Sequence, residues 1–294
     1  MTNHNGPVLV IGATGRQGTA TTHALLEKGW ESRAFVRDPE SERALALAAA
    51  GARLVTGDLD DEESVRAAMD GAHGVFLMLT MMSGVNISLD AVAAEIVHGK
   101  MVADLAAKTG IAHLVYSSLS GAHKGSGVEY YAAKEQIEDH IRELGLPATV
   151  LRPVLFMDNF ATYNKPALVE NELILSLAVA PGKPMALISI RDIGEFAALA
   201  FDRPEEFLGR TLEIAGDVLT PTEIAETLSR TAGLPYRTVR IPIAGLRAFD
   251  EQVAKMFEFF DVDSSPAPDV TTLRAAHPGL QSLETWVRAT GWTL

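Results

Sequence analysis

The sequence predicts an α/β fold with a doubly wound parallel sheet and a smaller α/β C-terminal region, on three observations. Short apolar runs alternate with helical stretches through the first half of the 294 residues. A glycine-punctuated turn joins the first run to the first helix. Gly29, Gly51, Gly71, Gly110 and Gly145 each follow a helical stretch, where a left-handed residue closes a helix. Strands are expected at 7–12, 32–36, 52–56, 73–79, 111–116 and 148–152. Helices are expected near 16–28, 39–50, 61–70, 88–109 and 130–144. Strands separated by helices imply right-handed βαβ units and hence parallel pairing.

The second half is less regular. Thr220-Pro221-Thr222-Glu223 is a capping box with proline at the first helical position, which starts a helix over 221–232. Further helices are expected at 192–201, about 246–260 and near 281–289, with strands at 185–190, 210–215 and 237–241. The segment 262–276, with Pro266 and Pro268, reads as a loop holding a short helix. The expected division is a nucleotide-binding domain over 1–152 and a substrate-binding region over 153–294 that is not an independent domain.

Composition narrows the function classes. Hydrophobic residues form 47% of the chain and charged residues 21%, enough to bury a core. A net charge of −13 argues against direct binding to nucleic acid, which needs a basic footprint. The absence of cysteine excludes disulfides and thiolate chemistry and suits a reducing, cytoplasmic setting. The eight histidines, His4 to His277, show no metal-ligand spacing, so no metal is expected. Pro181-Gly182-Lys183-Pro184 breaks the most apolar late stretch, so no membrane span is expected. With the first strand expected from residue 7, no signal peptide is expected.

The most informative segment is Val8-Leu9-Val10-Ile11-Gly12-Ala13-Thr14-Gly15-Arg16-Gln17-Gly18. Gly12 permits a tight turn off the strand, Gly15 a close backbone approach to a pyrophosphate, and Gly18 close packing of the helix on the sheet. The helix N-terminus adds free N–H groups and partial positive charge. Strand two ends in Arg37-Asp38-Pro39, where NAD enzymes commonly carry an acid and a cation suits a 2′-phosphate. Arg37, with Arg16 in the loop, therefore favours NADP over NAD; the alternative is two ordinary surface arginines. Asp58, followed by Leu59, either accepts from an adenine amino group or caps the next helix, a role open to Asp60 as well.

Strand four ends beside Leu79, Thr80, Met81 and Met82; the methionines line a substrate pocket or fill core. After strand five come Ser117 and Ser118, then Tyr130 and Lys134 four apart on one helix face. A lysine beside a phenol lowers its pKa and makes it a usable proton donor, and a serine hydroxyl can hold a carbonyl. Lys100 either snorkels to solvent or points to the cofactor. Tyr163 and Phe249 are further candidates for the substrate pocket.

Together these segments resemble the NmrA-like branch of the atypical short-chain dehydrogenases/reductases. Beyond the glycine loop, Arg37-Asp38-Pro39 and Gly57-Asp58-Leu59, the matching residues are Glu95 to Lys100, Leu114 to Ser118, Leu151 to Phe160, Ile190 to Gly194 and His277-Pro278-Gly279. The resemblance implies NADP bound by the loop (Gly12, Thr14, Gly15, Arg16, Gln17, Gly18), Arg37, Asp58, Leu59, Leu79 and Thr80. It also implies contacts from Lys134, Lys100 and the Phe156, Met157, Asp158 and Asn159 loop, whose phenylalanine, with Phe160, could instead anchor a domain junction. The implied activity is an NADPH-dependent reduction of a small apolar carbonyl, quinone or conjugated acceptor. The other class in the family binds NADP(H) as a redox sensor and acts through a protein partner. Non-catalytic members typically lack the tyrosine that stands here at 130, as do some reductases of the family. A monomer or homodimer suits either.

Overall fold

β1 (Val8–Ile11) is buried at every residue, because the sheet it belongs to is covered on both faces. The computed structural model describes residues 6–83 and 86–294. From β1 the chain runs through α1 (Arg16–Glu27), β2 (Ser32–Val36), α2 (Glu42–Ala49), β3 (Arg53–Thr56), α3 (Glu62–Met69) and β4 (Gly74–Leu77). It continues through α4 (Leu89–Thr109), β5 (His113–Ser117), α5 (Glu129–Glu143) and β6 (Ala148–Pro153), and later α6 (Ile190–Asp202) and β7 (Thr211–Ile214). The seven strands lie in the order β7-β6-β5-β4-β1-β2-β3. Pairings among β1 to β6 are all parallel. The order reverses between β1 and β4, and ligands of open α/β sheets bind beyond the carboxyl ends of the strands at such a switch point.

The expected first-half elements appear at their predicted places, with ends shifted by up to three residues. The five helix-closing glycines all take positive φ, between +62° and +108°. Leu9, Ile11, Val75, Leu77, Leu114 and Tyr116 face a core shared with α3, α4 and α5. On α4, Gly99 lies so close to α5 that a Cβ there would stand 2.5 Å from Ile137 Cδ1. α6 meets α1 just as closely, because a Cβ on Gly194 would stand 2.5 Å from the Ala20 carbonyl carbon.

The chain divides into two compact units. The first runs as far as Lys124 and then takes Glu129–Arg152 and Ile193–Leu212. Residues 193–212 thus pack with the nucleotide-binding sheet, although they fall outside the 1–152 segment expected to form it.

The second unit takes Gly125–Val128, Pro153–Asp192 and Glu213–Leu294. Two small sheets hold it, one of strands Ala167–Val169, Glu172–Leu177 and Tyr236–Arg240, the other of Leu155–Phe156, Met185–Ile188 and Asp217–Leu219. The strand Glu172–Leu177 was not foreseen, because a short, largely apolar run carries no clear period to separate strand from helix. The helix expected over 246–260 is two helices, Ile243–Phe249 and Glu251–Val262. Asp250 breaks it by turning extended and accepting from the Gln252 and Val253 N–H groups at 2.8 and 3.1 Å. The capping box at Thr220 and Glu223 forms as expected. Met157, Phe160, Leu187, Ile224 and Trp286 meet in this unit's core. No described helix is long and apolar enough to cross a membrane, and no described cluster of His, Asp or Glu could hold a metal; His4 and Gly84 lie outside the described residues.

Candidate functional site

At the end of β1 the backbone turns with Gly12 at φ +82°, a value that side chains rarely adopt. A Cβ on Gly12 would stand 2.5 Å from the Met78 carbonyl oxygen at the end of β4, so the two strand ends meet there. A Cβ on Gly18 would stand 2.1 Å from the Gly12 carbonyl oxygen, so α1 begins pressed against the turn. Gly15 is the N-cap of α1 and offers no side-chain cap to its first N–H groups. The result is a bare backbone cradle at the switch point, of the shape and polarity that a pyrophosphate fits.

Beyond β2, Thr14, Val36, Arg37, Asp38, Ser41 and Arg43 line a cavity of about 240 Å³. Arg37 and Arg43 are both exposed and both line this cavity, on the β2 side of the cradle. Arg43 was not singled out from sequence; its position in the first turn of α2, six residues past Arg37, was the available signal. Asp58 is half-buried after β3 and accepts from Asp60 N–H at 3.1 Å. The cap of α3 is Asp61, which accepts from Glu63 and Ser64, and neither Asp58 nor Asp60 takes that part.

On the β4–β5 side the structure gathers a buried polar cluster. Lys134, only 3% exposed, donates to the Leu79 carbonyl oxygen at 3.3 Å and pairs with Glu95 of α4. Its ammonium lies 5.6 Å from the Tyr116 ring centroid. Beyond Lys134, no described residue gives Glu95 a hydrogen bond, and the Tyr116 hydroxyl is buried without a partner among the described residues. Burial, with Glu95 and Glu138 as neighbouring carboxylates, pushes the Tyr116 phenol well above its usual range. One turn along α5, Glu138 accepts from Arg152 Nε at 3.0 Å and Nη2 at 2.5 Å and from Ser118 Oγ at 2.5 Å. Arg152 also donates to His123 Nδ1 at 2.7 Å. Glu95, Tyr116, Glu138, Arg152 and His123 were not foreseen. Glu138 could have been, since it continues the four-residue spacing of Tyr130 and Lys134.

Both serines and Lys134 have partners within the protein. Ser117 donates to Gln17 Oε1 at 2.6 Å and Ser118 to Glu138. Lys134, expected to tune Tyr130, has its ammonium held by Glu95 and Leu79 and over the Tyr116 ring. Tyr130 itself is buried, edge-on to Tyr131.

Thr80 is exposed, and its hydroxyl accepts from Met82 N–H at 3.1 Å; Met81 and Met82 are half-buried, as is Lys100. In the second unit, Phe156 pairs in register with Ile188 and Met157 is wholly buried. The Asp158 carboxylate accepts from Ile190 N–H at 2.9 Å, and Asn159 is half-buried. Tyr163 and Phe249 are exposed.

The family model for the NmrA-like family matches residues 4–278. The chain belongs to the NmrA-like family. It is 29% identical to the NAD(P)H azoreductase of Xenophilus azovorans, over 80% of this chain and 77% of that one. Its fold matches the negative transcriptional regulator NmrA solved in complex with NADP, at a TM-score of 0.79 and 23% identity over 97% and 95% of the two chains. It matches equally the NADPH-dependent quinone oxidoreductase QOR2 of Escherichia coli solved with NADPH, at 0.77 and 20% over 97% and 100%. The same fold thus occurs in a transcriptional regulator and in a quinone oxidoreductase.

Proposed function

We propose that this NmrA-like protein is an NADPH-dependent reductase of small apolar acceptors such as quinones, carbonyls or azo compounds. The observation that carries the reading is the bare glycine cradle flanked by the Arg37–Arg43 cavity. A Cβ at Gly12 or Gly18 would collide with backbone, and two guanidiniums suit a 2′-phosphate better than a plain ribose hydroxyl. The cradle amides would hold the pyrophosphate, Arg37 and Arg43 the 2′-phosphate, Asp58 and Leu59 the adenine, and Lys134 the ribose on the β4 side. When bound, NADPH supplies a hydride. Tyr130, four residues before Lys134 on the same helix, is proposed to give the proton to the reduced acceptor. Ser117 and Ser118 hold the sheet end through Gln17 and Glu138. Met81 and Met82 supply an adaptable apolar wall.

The test is direct. Fluorescence titration should give tighter binding of NADPH than of NADH, and a panel of quinones, carbonyls and azo dyes should drive NADPH oxidation. Tyr130→Phe should keep NADPH affinity and lower turnover by about a hundredfold, the usual weight of a general acid. Unchanged turnover would remove Tyr130 from the mechanism.

One observation favours a second reading, an NADP(H)-binding redox sensor acting through a protein partner. Both serines and Lys134 already have protein partners, an arrangement suited to binding without turnover. Tight NADPH binding with no oxidation across the panel would select it.

A further inference from the structure

Two buried ion pairs lie on the same stretch of α5, and they differ in kind. Arg152 and Glu138 are joined by two hydrogen bonds, and Ser118 and His123 satisfy much of the rest. Such a pair is complete within the protein. Lys134 and Glu95 are 3% and 2% exposed, yet beyond that ammonium no described residue gives Glu95 a hydrogen bond. Burying two charges costs several kcal/mol, and replacing such a pair by apolar residues is often neutral or stabilising. An under-bonded buried pair is therefore poorly explained by stability alone.

Its place suggests another explanation. Glu95 comes from α4, Tyr116 from β5 and the Leu79 carbonyl from the segment after β4, so Lys134 is pinned beyond the carboxyl ends of β4 and β5. Among the described residues, the charged or titratable groups near it are Glu95 on α4 and Tyr116 on β5, with Tyr130 and Glu138 each one turn away on its own helix, Glu138 being paired with Arg152 of β6.

We propose that Glu95 is a positioning residue whose buried carboxylate holds the Lys134 side chain fixed against Leu79, ready for the ribose hydroxyls of a dinucleotide. The ribose end of this proposal rests on the dinucleotide reading above; the Glu95–Lys134 coupling does not.

The two parts are tested separately. Without ligand, Glu95→Gln leaves a buried ammonium with no counter-charge, which then releases its proton more easily folded than unfolded. The unfolded state then binds more protons, so stability rises with pH. The melting-temperature deficit of Glu95→Gln relative to wild type should therefore narrow by several degrees between about pH 6 and about pH 9. The deficit of Glu138→Gln should stay constant over that range, since arginine does not lose its proton. A constant deficit for both variants would overturn the coupling.

With NADPH, Glu95→Gln and Lys134→Met should each lose about tenfold in affinity, the weight of a charged hydrogen bond. The paired replacement Glu95→Leu with Lys134→Met should bind no more weakly than Lys134→Met alone, because Glu95 acts only through the lysine. Additional loss in the double variant, or wild-type affinity in Glu95→Gln, would overturn the positioning role. If Glu95→Gln does not fold, the apolar double variant supplies the comparison. Wild-type protein that takes no NADPH would overturn the dinucleotide reading and the ribose end with it, while the pH arm still decides the coupling.

Discussion

Arg37 and Arg43 line one cavity, so removing either leaves a single cation where the proposed 2′-phosphate binds. Arg43→Ala should weaken NADPH about tenfold and leave NADH nearly unchanged. Equal losses for the two coenzymes in titrations would place Arg43 outside the phosphate site. Another residue carries an acid-stability expectation. Thr149 gives its hydroxyl hydrogen to the Phe207 carbonyl at 2.8 Å, so its oxygen accepts from His113 Nε2 at 2.8 Å. Burial, with His73 nearby, lowers the His113 pKa to about 4. The folded state thus holds His113 neutral, contributing stability above pH 6.5 that is lost as pH falls toward 4, up to about 3 kcal/mol. His113→Phe should flatten that part of the stability–pH curve; an unchanged slope would exclude the mechanism. These two cases mark how far single residues were legible. Arg37 and the Tyr130–Lys134 spacing stood out, since loop position and helical period are local. Arg43 and Glu95 did not, because one needs the cavity and the other needs a partner on a different helix.

Two glycines on helices separate packing from binding at the level of elements. Gly194→Ala would drive a methyl into the Ala20 backbone where α6 crosses α1. Rigid backbone cannot yield as a side-chain tip can, so the cost should be about 1–3 kcal/mol in chemical denaturation. NADPH affinity should be unaffected, as Gly194 lies outside the cradle. Gly18→Ala puts the same methyl 2.1 Å from the Gly12 carbonyl and should abolish NADPH binding as well as destabilise. Intact binding in Gly18→Ala would mean that the cradle is not the pyrophosphate site. Elements of the first half were readable because buried parallel strands and capped helices announce themselves by composition and glycine punctuation. The break at Asp250 was not, because an acidic residue inside a helical period signals a cap only when its φ turns extended. The Glu172–Leu177 strand carried no period at all.

For the molecule as a whole, the sheet is completed by sequence that arrives late. α6 supplies Phe201, whose ring lies 5.3 Å from His113 and 6.2 Å from Trp30, and β7 closes the edge beside β6. A fragment ending at residue 152 loses both. It should show no cooperative unfolding transition by circular dichroism, whereas a fragment that folds alone would make residues 193–212 dispensable. The net charge of −13 makes any protein partner of a sensor form one that tolerates an acidic surface, and salt should modulate such an association.

The return of residues 193–212 to the first unit also sets an order of events during synthesis. Residues 153–192 must leave the ribosome, unassembled with that sheet, before the strand and helix that finish it exist. At about 5–20 residues per second, the interval between residue 152 and residue 212 lasts several seconds. Through that wait the Trp30 and His113 face lacks its Phe201 cover and the β6 edge stands open, the sort of surface that chaperones hold.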